Sequence, residues 1–160
     1  MGVFTFAQEF ESPISPSRLF KALMLDSHTL LPKLMPQSIE SIEFCEGHGE
    51  VGSIKQTNFA QGCLIKYAKH RIDELDVKNC RCKYSLIEGD IIDEKLKRVE
   101  YEAEFTDDGH GGCICKISSN YCSDLDIEFR DEDIEFGKDR ATEVYRVIEA
   151  YLLANPNACT

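Results

Sequence analysis

The chain has 160 residues, of which 42% are hydrophobic and 29% are charged, and its formal net charge is -11. This length and composition are typical of a globular protein with its own hydrophobic core, so we expect a single domain over residues 1–160. The acidic excess repels nucleic-acid phosphates and anionic membrane surfaces. We therefore expect no nucleic-acid or membrane partner, and a ligand that is neutral or cationic.

The sequence carries no signal for export or for membrane insertion. The N-terminal segment MGVFTF lacks the basic and long apolar regions of a secretion signal. No apolar run approaches the roughly 18 residues of a membrane span. We expect a cytoplasmic protein, in which the eight cysteines are reduced thiols.

The cysteines form two C-x-C pairs, Cys80 with Cys82 and Cys113 with Cys115, and this spacing puts each pair on one face of a strand. One interpretation is that the pairs converge on zinc, although zinc ligands usually have wider spacing or histidine partners. The favoured interpretation is that cysteine serves as a small apolar side chain in a core or cavity wall. We predict no metal and no cofactor.

The first third of the chain predicts a strand followed by two short helices. Residues 3–11 mix apolar and polar side chains as a strand does. Ser15-Pro16 is a helix start, with serine as the N-cap and proline at the first position. Asp26 predicts the cap of a second short helix, which Pro36 ends.

The middle of the chain changes to strand patterns separated by short turns rich in glycine and aspartate. Short connections between successive strands indicate an antiparallel sheet. The predicted strands are 38–45, 53–60, 63–74, 79–88, 95–106 and 112–122.

Residues 131–154 return to a helical period, and Asn155-Pro156 ends the pattern. A helix of this length is about 36 Å long and crosses a small domain. The order of elements indicates an α+β fold in which a curved sheet grips the last helix and leaves a cavity. The apolar stripe of this helix consists of Ile134, Ala141, Tyr145, Ile148 and Leu152.

Short motifs along the whole chain resemble one known family. They include MGVF at the start, Arg18-Leu19-Phe20-Lys21-Ala22, Glu46-Gly47, Ile54-Lys55, Ile87-Glu88-Gly89-Asp90, Gly137-Lys138 and Tyr151-Leu152-Leu153-Ala154-Asn155-Pro156. In this order and at this spacing, the chain resembles the Bet v 1 / PR-10 (pathogenesis-related class 10) family from end to end.

The resemblance implies a helix-grip fold, with a seven-stranded curved antiparallel sheet around a long C-terminal helix and two short helices. It also implies an internal cavity that binds a hydrophobic or amphipathic plant metabolite or hormone of the cytokinin, flavonoid, phenolic or fatty acid class. Members of the family are linked to defence and stress, and several are allergens. We expect a protein of this kind, acting as a monomer or weak dimer.

Alternation along the strands and the resemblance together select candidate ligand-binding residues. With Tyr84 facing inward, Cys82 and Leu86 share its face. The tyrosines and Lys138 are expected to be polar anchors in an apolar pocket; an ordinary filled core is the alternative. The candidates are Leu23, Leu31, Phe59, Ile65, Tyr67, Cys82, Tyr84, Leu86, Val99, Tyr101, Ala103, Cys115, Ile117, Lys138, Thr142 and Tyr145.

The loop containing Gly47, Gly49 and Gly52 matches the glycine-rich loop of the family. It superficially resembles a phosphate-binding loop, but it joins two strands, carries acidic residues and lacks the lysine of a P-loop. We interpret it as a tight turn beside the cavity.

Three other functions stay open on the sequence. The resemblance extends to norcoclaurine synthase, so the chain is alternatively an enzyme of specialised alkaloid or phenolic metabolism, with Lys55 or Lys138 in acid–base chemistry. It also extends to abscisic acid receptors that inhibit protein phosphatases. Ribonuclease activity is attributed to some relatives, but Lys97 replaces one of the acids invoked, beside Glu149 and Tyr151. We assign no catalytic residue.

Overall fold

The computed structural model describes residues 2–123 and 131–160, with side chains from residue 3 and, in the last helix, from residue 137. The elements are β1 (Gly2–Ser12), α1 (Pro16–Phe20), a π-helical turn (Lys21–Leu25), α2 (Ser27–Leu34), β2 (Ile39–Glu46), β3 (Ile54–Phe59), β4 (Tyr67–Asp76), β5 (Arg81–Gly89), β6 (Arg98–Asp107), β7 (Cys113–Ser123) and α3 (Asp131–Ala154).

The seven strands form one antiparallel sheet in the order β1-β7-β6-β5-β4-β3-β2. Every connection from β2 to β7 joins neighbouring strands, and β1 pairs with β7 through Phe10 and Cys115. Register shifts in the β2–β3 and β4–β5 pairs mark bulges, which bend strands and increase their twist. The predicted helix-grip architecture is confirmed.

Two strands, β4 and β6, begin three or more residues later than predicted, because turns occupy the first residues of the predicted ranges. Residues 60–66 form a turn that the main-chain N–H of Phe59 closes on the carbonyl of Lys66, at 2.9 Å, so β4 starts at Tyr67. Before β6, the Asp93 carboxylate accepts hydrogen bonds from two successive main-chain amides, at 2.7 and 2.9 Å. These bonds hold a turn where extended backbone was predicted.

The short helices follow the prediction in position but differ in how they begin. Ser15 precedes Pro16 as the N-cap of α1, yet only its main-chain carbonyl holds the helix, accepting from Leu19 at 3.1 Å. Asp26 precedes α2 and likewise accepts from Leu30 through its carbonyl, at 3.0 Å. The capping positions are therefore confirmed, and the side-chain bonds of a usual cap are not formed.

The second half of α3 is packed into the main core. Tyr145, Ile148 and Leu152 are at most 1% exposed, as the predicted stripe requires, and the Tyr145 ring stacks on Phe10 with centroids 4.4 Å apart. The side chain of Ile134, which belongs to the same prediction, lies outside the described residues. No helix among the described residues is long and apolar enough to span a membrane.

Arg18 of α1 holds the C-terminal end of α3. Its guanidinium donates to the carbonyls of Leu152 at 3.2 Å, Asn155 at 3.0 Å and Ala158 at 3.1 Å. The last carbonyls of a helix have no partner within the helix, so an arginine at this place satisfies them. The final residues of the chain are thereby fixed to the first helix.

Truncating Leu152 tests this packing. We expect Leu152→Ala to lower the free energy of unfolding by about 2–5 kcal/mol, because a fully buried side chain is removed and a void is left. Leu153→Ala is the matched control, since Leu153 is 53% exposed, and we expect a change below about 0.5 kcal/mol. Urea unfolding followed by circular dichroism measures both, and equal losses would contradict the described orientation of α3.

Candidate functional site: an internal cavity

A cavity of about 780 Å³ lies between the concave face of the sheet and α3. Small residues leave this space open: α3 presents Gly137 and Ala141, and the facing strands present Ala68 and Cys82. The volume falls in the range of about 300–1,000 Å³ found for small-molecule sites. The interior is therefore hollow enough to hold a guest molecule.

The cavity reaches the surface between the β3–β4 loop and the β5–β6 loop. Ile91, Asp93 and Lys95 are exposed and line the opening from one side. Ile65 lines it from the other side. These two loops form the rim of the cavity.

Acidic side chains of the IEGD motif join the end of β5 to the rim loop 60–66 and to the start of β4. Asp90 accepts a hydrogen bond from the main-chain N–H of Lys66. Glu88 accepts from the hydroxyl of Tyr67 at 3.1 Å and pairs with the ammonium of Lys69 at 3.2 Å, contacts that hold the pKa of its carboxyl below the usual range. We call these contacts the rim clasp.

Ten of the candidate ligand-binding residues line the cavity. They come from the short helices, four strands, the β3–β4 loop and α3, so the structure brings distant parts of the chain together here. Their role in binding a ligand stays a prediction. The ten are Leu23, Leu31, Phe59, Ile65, Cys82, Tyr84, Leu86, Tyr101, Ile117 and Tyr145.

Three further candidates face the same side of the sheet but lie beneath larger side chains. Val99 is 1% exposed, and Ala103 and Cys115 are fully buried. Alternation selected the correct face for them, but alternation does not tell which side chains reach the open space. They belong to the core under the cavity rather than to its lining.

Tyr67 was expected inside the cavity, and the structure places it on the opposite face of the sheet. Because β4 begins at Tyr67, alternation within the strand turns Ala68, His70 and Ile72 inward. The prediction took Tyr67 from the family resemblance and placed it within a strand at 63–74, whereas residues 60–66 form a turn. Tyr67 instead contributes its hydroxyl to the rim clasp.

Lys138 and Thr142 were expected to reach the cavity from α3, but the structure places them just beside the lining stripe. A helix rotates by about 100° per residue, so one step along the chain changes the face. The Lys138 ammonium lies 5.1 Å from the ring centroid of Phe6, and Thr142 donates to the carbonyl of Lys138 at 2.9 Å. The residues of α3 that line the cavity are Gly137, Arg140, Ala141, Val144 and Tyr145.

Several polar lining residues were missing from the predicted pocket, and three of them, Lys55, His70 and Arg140, carry an ionisable group inside it. Lys55 had been considered only for catalysis. His70 and Arg140 line the cavity because β4 and α3 turn different residues inward than the sequence predicted. The His70 ring lies 6.0 Å from that of Tyr84 and 6.2 Å from that of Tyr101. The two tyrosines stack on each other at 4.9 Å. A known start for β4 would have revealed His70 through alternation alone.

Burial sets the charge of these groups. It lowers the pKa of the Lys55 ammonium, and, together with the positive charge of Lys55, it lowers the pKa of His70 from 6.5 to about 4. Burial also raises the pKa of the phenols of Tyr84 and Tyr101. His70 is therefore neutral near pH 7, and both phenols keep their protons as hydrogen-bond donors. We call Lys55, His70, Tyr84 and Tyr101 the polar cluster.

The cysteines are free thiols, and burial keeps the inner ones protonated. It raises the pKa of Cys82 to about 11, against the opposing effect of Lys55, and that of Cys113 to about 12. Among the described residues, no three histidine, cysteine or acidic side chains converge to hold a metal ion. The C-x-C pairs thus do not form a joint metal centre there.

The glycine-rich loop lies outside the cavity lining and uses its own amides. The Glu50 carboxylate accepts from the main-chain N–H of His48 at 3.0 Å, and the Ser53 hydroxyl accepts from that of Gly49 at 3.0 Å. A phosphate would need such donors free. Gly47 has a φ of +73°, and a Cβ there would lie 2.2 Å from the Ser53 hydroxyl, so the tight turn requires glycine.

The residues considered for ribonuclease activity do not form a site with the cavity. Glu149 pairs with Arg146 on the same helix at 3.2 Å. Tyr151 lies one turn before the helix ends, and its ring is 5.9 Å from the Lys33 ammonium. Neither Glu149 nor Tyr151 lines the cavity.

Comparison with known proteins decides the family. Residues 1–155 match the model of the Pathogenesis-related protein Bet v 1 family. The chain belongs to the Bet v 1 family. Among similar members, it is 46% identical over 157 residues to pathogenesis-related protein STH-2 of Solanum tuberosum and 43% identical to major strawberry allergen Fra a 1-2 of Fragaria ananassa, covering 98% of both chains in each case.

Solved structures confirm the Bet v 1 fold. The structure of Ara h 8.0201 is 33% identical and superposes with a TM-score of 0.87, covering 96% of this chain and all of the other. Norcoclaurine synthase from Thalictrum flavum, solved with dopamine and hydroxybenzaldehyde, is 19% identical with a TM-score of 0.74, covering 96% of this chain and 88% of the other. At that identity the second likeness concerns the fold alone.

The acid side of the stability profile tests the state of His70. The pKa of His70 is lower in the folded protein than in the unfolded chain. As the pH is lowered, the unfolded chain therefore binds a proton at His70 near pH 6.5, whereas the folded protein binds it only near pH 4. We expect the free energy of unfolding to decrease by on the order of 1–3 kcal/mol as the pH is lowered through that interval. The variant His70→Gln should lack this part of the decrease.

Urea unfolding at a series of pH values measures the effect. His110→Gln is the control, since His110 is exposed in the β6–β7 turn, and its profile should follow that of the wild type. If the His70→Gln profile also runs parallel to the wild type, His70 is not held neutral by the fold.

Proposed function

We propose that the protein binds a hydrophobic or amphipathic plant metabolite or hormone in this cavity, as part of a defence or stress response. The observation that carries the proposal is the cavity itself, about 780 Å³ with apolar walls and a polar cluster on one side. Apolar surface supplies affinity for a guest, and a few fixed polar groups orient it. That combination suits a molecule with an apolar body and one or two polar substituents.

The polar cluster favours particular hydrogen bonds. The protonated phenols of Tyr84 and Tyr101 donate, while neutral His70 offers one donor and one acceptor. Hydroxyl and carbonyl groups on a planar ring system fit these partners, and the stacked tyrosines add flat contact area. The family resemblance implies a tyrosine at the position of Cys82. The cysteine adds space and removes a hydroxyl, so we propose a ligand range different from that of the pollen and fruit allergens.

The cavity also supports a change in the expected ligand charge. The net charge of -11 favoured neutral or cationic guests, but Lys55 and Arg140 line the interior and Asp93 stands at the rim. Arg140 also lies over the ring of Phe59, at 5.0 Å. A neutral guest with electron-rich substituents suits this lining better than a cation. The name of the potato relative, a pathogenesis-related protein, supports the link to defence.

Filling the cavity from α3 tests the proposal. Ala141 lines the cavity, and Ala150 is exposed on the same helix. We expect Ala141→Phe to weaken binding of the fluorescent probe anilinonaphthalene sulfonate by about tenfold or more, or about 1.4 kcal/mol, because the new ring occupies the space of the guest. Ala150→Phe should bind as the wild type does. Fluorescence titration gives both dissociation constants.

Native mass spectrometry of the freshly purified protein adds a second measurement. A retained plant metabolite that Ala141→Phe loses and Ala150→Phe keeps supports the proposal. If the two variants bind the probe equally while both stay folded, the cavity is not the binding site.

A further inference from the structure

Lys55 is an unusual lysine because its amine lies inside the cavity. Its Nζ donates to the hydroxyl of Ser27 at 3.2 Å. In the part of the chain that the structure describes, no carboxylate lies within ion-pair distance of this amine, whereas Lys69 and Lys83 on the outer face each pair with a glutamate. The other lysine of the lining, Lys95, is exposed at the rim.

The surroundings of Lys55 favour its neutral form. Burial lowers the pKa of the amine, and the amine interacts with the imidazole of His70 and the thiol of Cys82, which are uncharged at neutral pH. By contrast, the Glu88 carboxylate raises the pKa of Lys69. A desolvated lysine without a counter-ion is the form of lysine that acts as a nucleophile towards carbonyl groups.

We propose that Lys55 captures aldehydes that enter the cavity, by forming a reversible imine with them. The ligand class is an uncharged aromatic or conjugated aldehyde, whose ring occupies the apolar walls. This inference rests on the proposed function, since the aldehyde must first enter as a guest does. It goes further, because it gives the cavity a covalent step and names the reacting atom.

The step balances without any oxidant or reductant. The lone pair of Nζ forms a bond to the carbonyl carbon, and the carbonyl oxygen takes a proton as the nitrogen loses one. The resulting hydroxyl takes a second proton and leaves as water, while the nitrogen lone pair closes the C=N bond and its last proton departs. Aldehyde and amine thus give imine and water.

Lining groups suit hydrogen bonds to the reacting atoms of this step. The neutral ring of His70, close enough to Lys55 for the ammonium to lower its pKa, offers an acceptor for an N–H of the reacting nitrogen. The phenol of Tyr84, which keeps its proton, offers a donor for the carbonyl oxygen. The hydroxyl of Ser27 holds the amine at the cavity wall. The apolar lining also limits water, which otherwise returns the imine to aldehyde and amine.

Reductive trapping with benzaldehyde and sodium cyanoborohydride tests the proposal on the full chain. Cyanoborohydride supplies hydride to the imine carbon and makes the adduct permanent, and peptide mapping by mass spectrometry locates each benzyl group. We expect Lys55 to be modified at least about tenfold faster than Lys83, because burial lowers the pKa of the Lys55 amine and so increases its free fraction. The rate at Lys55 should level off at a pH below the ordinary pKa of lysine.

Two variants and one competitor serve as controls. Lys55→Arg keeps a positive charge but no nucleophilic amine, so it should lose the cavity adduct. Lys83→Arg should leave the Lys55 adduct unchanged. Preloading with anilinonaphthalene sulfonate should slow modification at Lys55 and not at Lys83. Mapping also separates any adduct at the N-terminal amine from those at the lysines.

The outcomes separate this inference from the proposed function. If the fluorescent probe binds in the cavity but Lys55 reacts no faster than Lys83, covalent capture is wrong and non-covalent binding stands. If preloading protects both lysines equally, the adduct is not formed in the cavity and the inference is wrong. If the folded protein binds no probe and Lys55 gives no preferential adduct, both proposals fail.

Discussion

The packing of the second half of α3 is the constraint on which the rest of the structure depends. Tyr145, Ile148 and Leu152 are pressed into the core, and Arg18 ties the end of the helix to α1. Because this half is tightly held, the half nearer Gly137 is carried across the concave face of the sheet without having to fill the space beneath it. Close packing at the C-terminal end of α3 thus supports a void beneath its other end, although protein interiors are normally filled.

How much of this could be predicted depends on how locally each feature is encoded. The inward face of β5 followed from alternation around Tyr84, because Cys82 to Leu86 pair with β6 without a register shift. Tyr67 was taken from the family resemblance, but β4 starts at this residue and turns Ala68 inward instead. On α3, the apolar stripe fixed Tyr145, but one step of helical rotation separates a lining residue from Lys138. The cavity volume depends on which small residues meet across the fold, and no local pattern encodes that.

The charge of the interior is also independent of the charge of the chain. The sum of -11 describes a surface on which acidic residues outnumber basic ones, whereas the cavity places Lys55 among neutral groups. Charge on the outside is screened by solvent, but inside the cavity desolvation decides which form each group adopts. The same burial that keeps Cys82 protonated, and so weakens it as a nucleophile, strengthens the amine of Lys55.

If a guest occupies the cavity as proposed, the rim clasp bears on how quickly it exchanges rather than on how tightly it is held. The walls and the polar cluster, which Asp90 and Glu88 do not touch, would then set the affinity. The bond from Lys66 to Asp90 joins one rim loop to the end of β5, so on the proposed function we expect residence time to depend on the strength of the rim clasp. A protein built in this way can change its rate of release through one acidic residue at the edge while its selectivity for the guest stays the same.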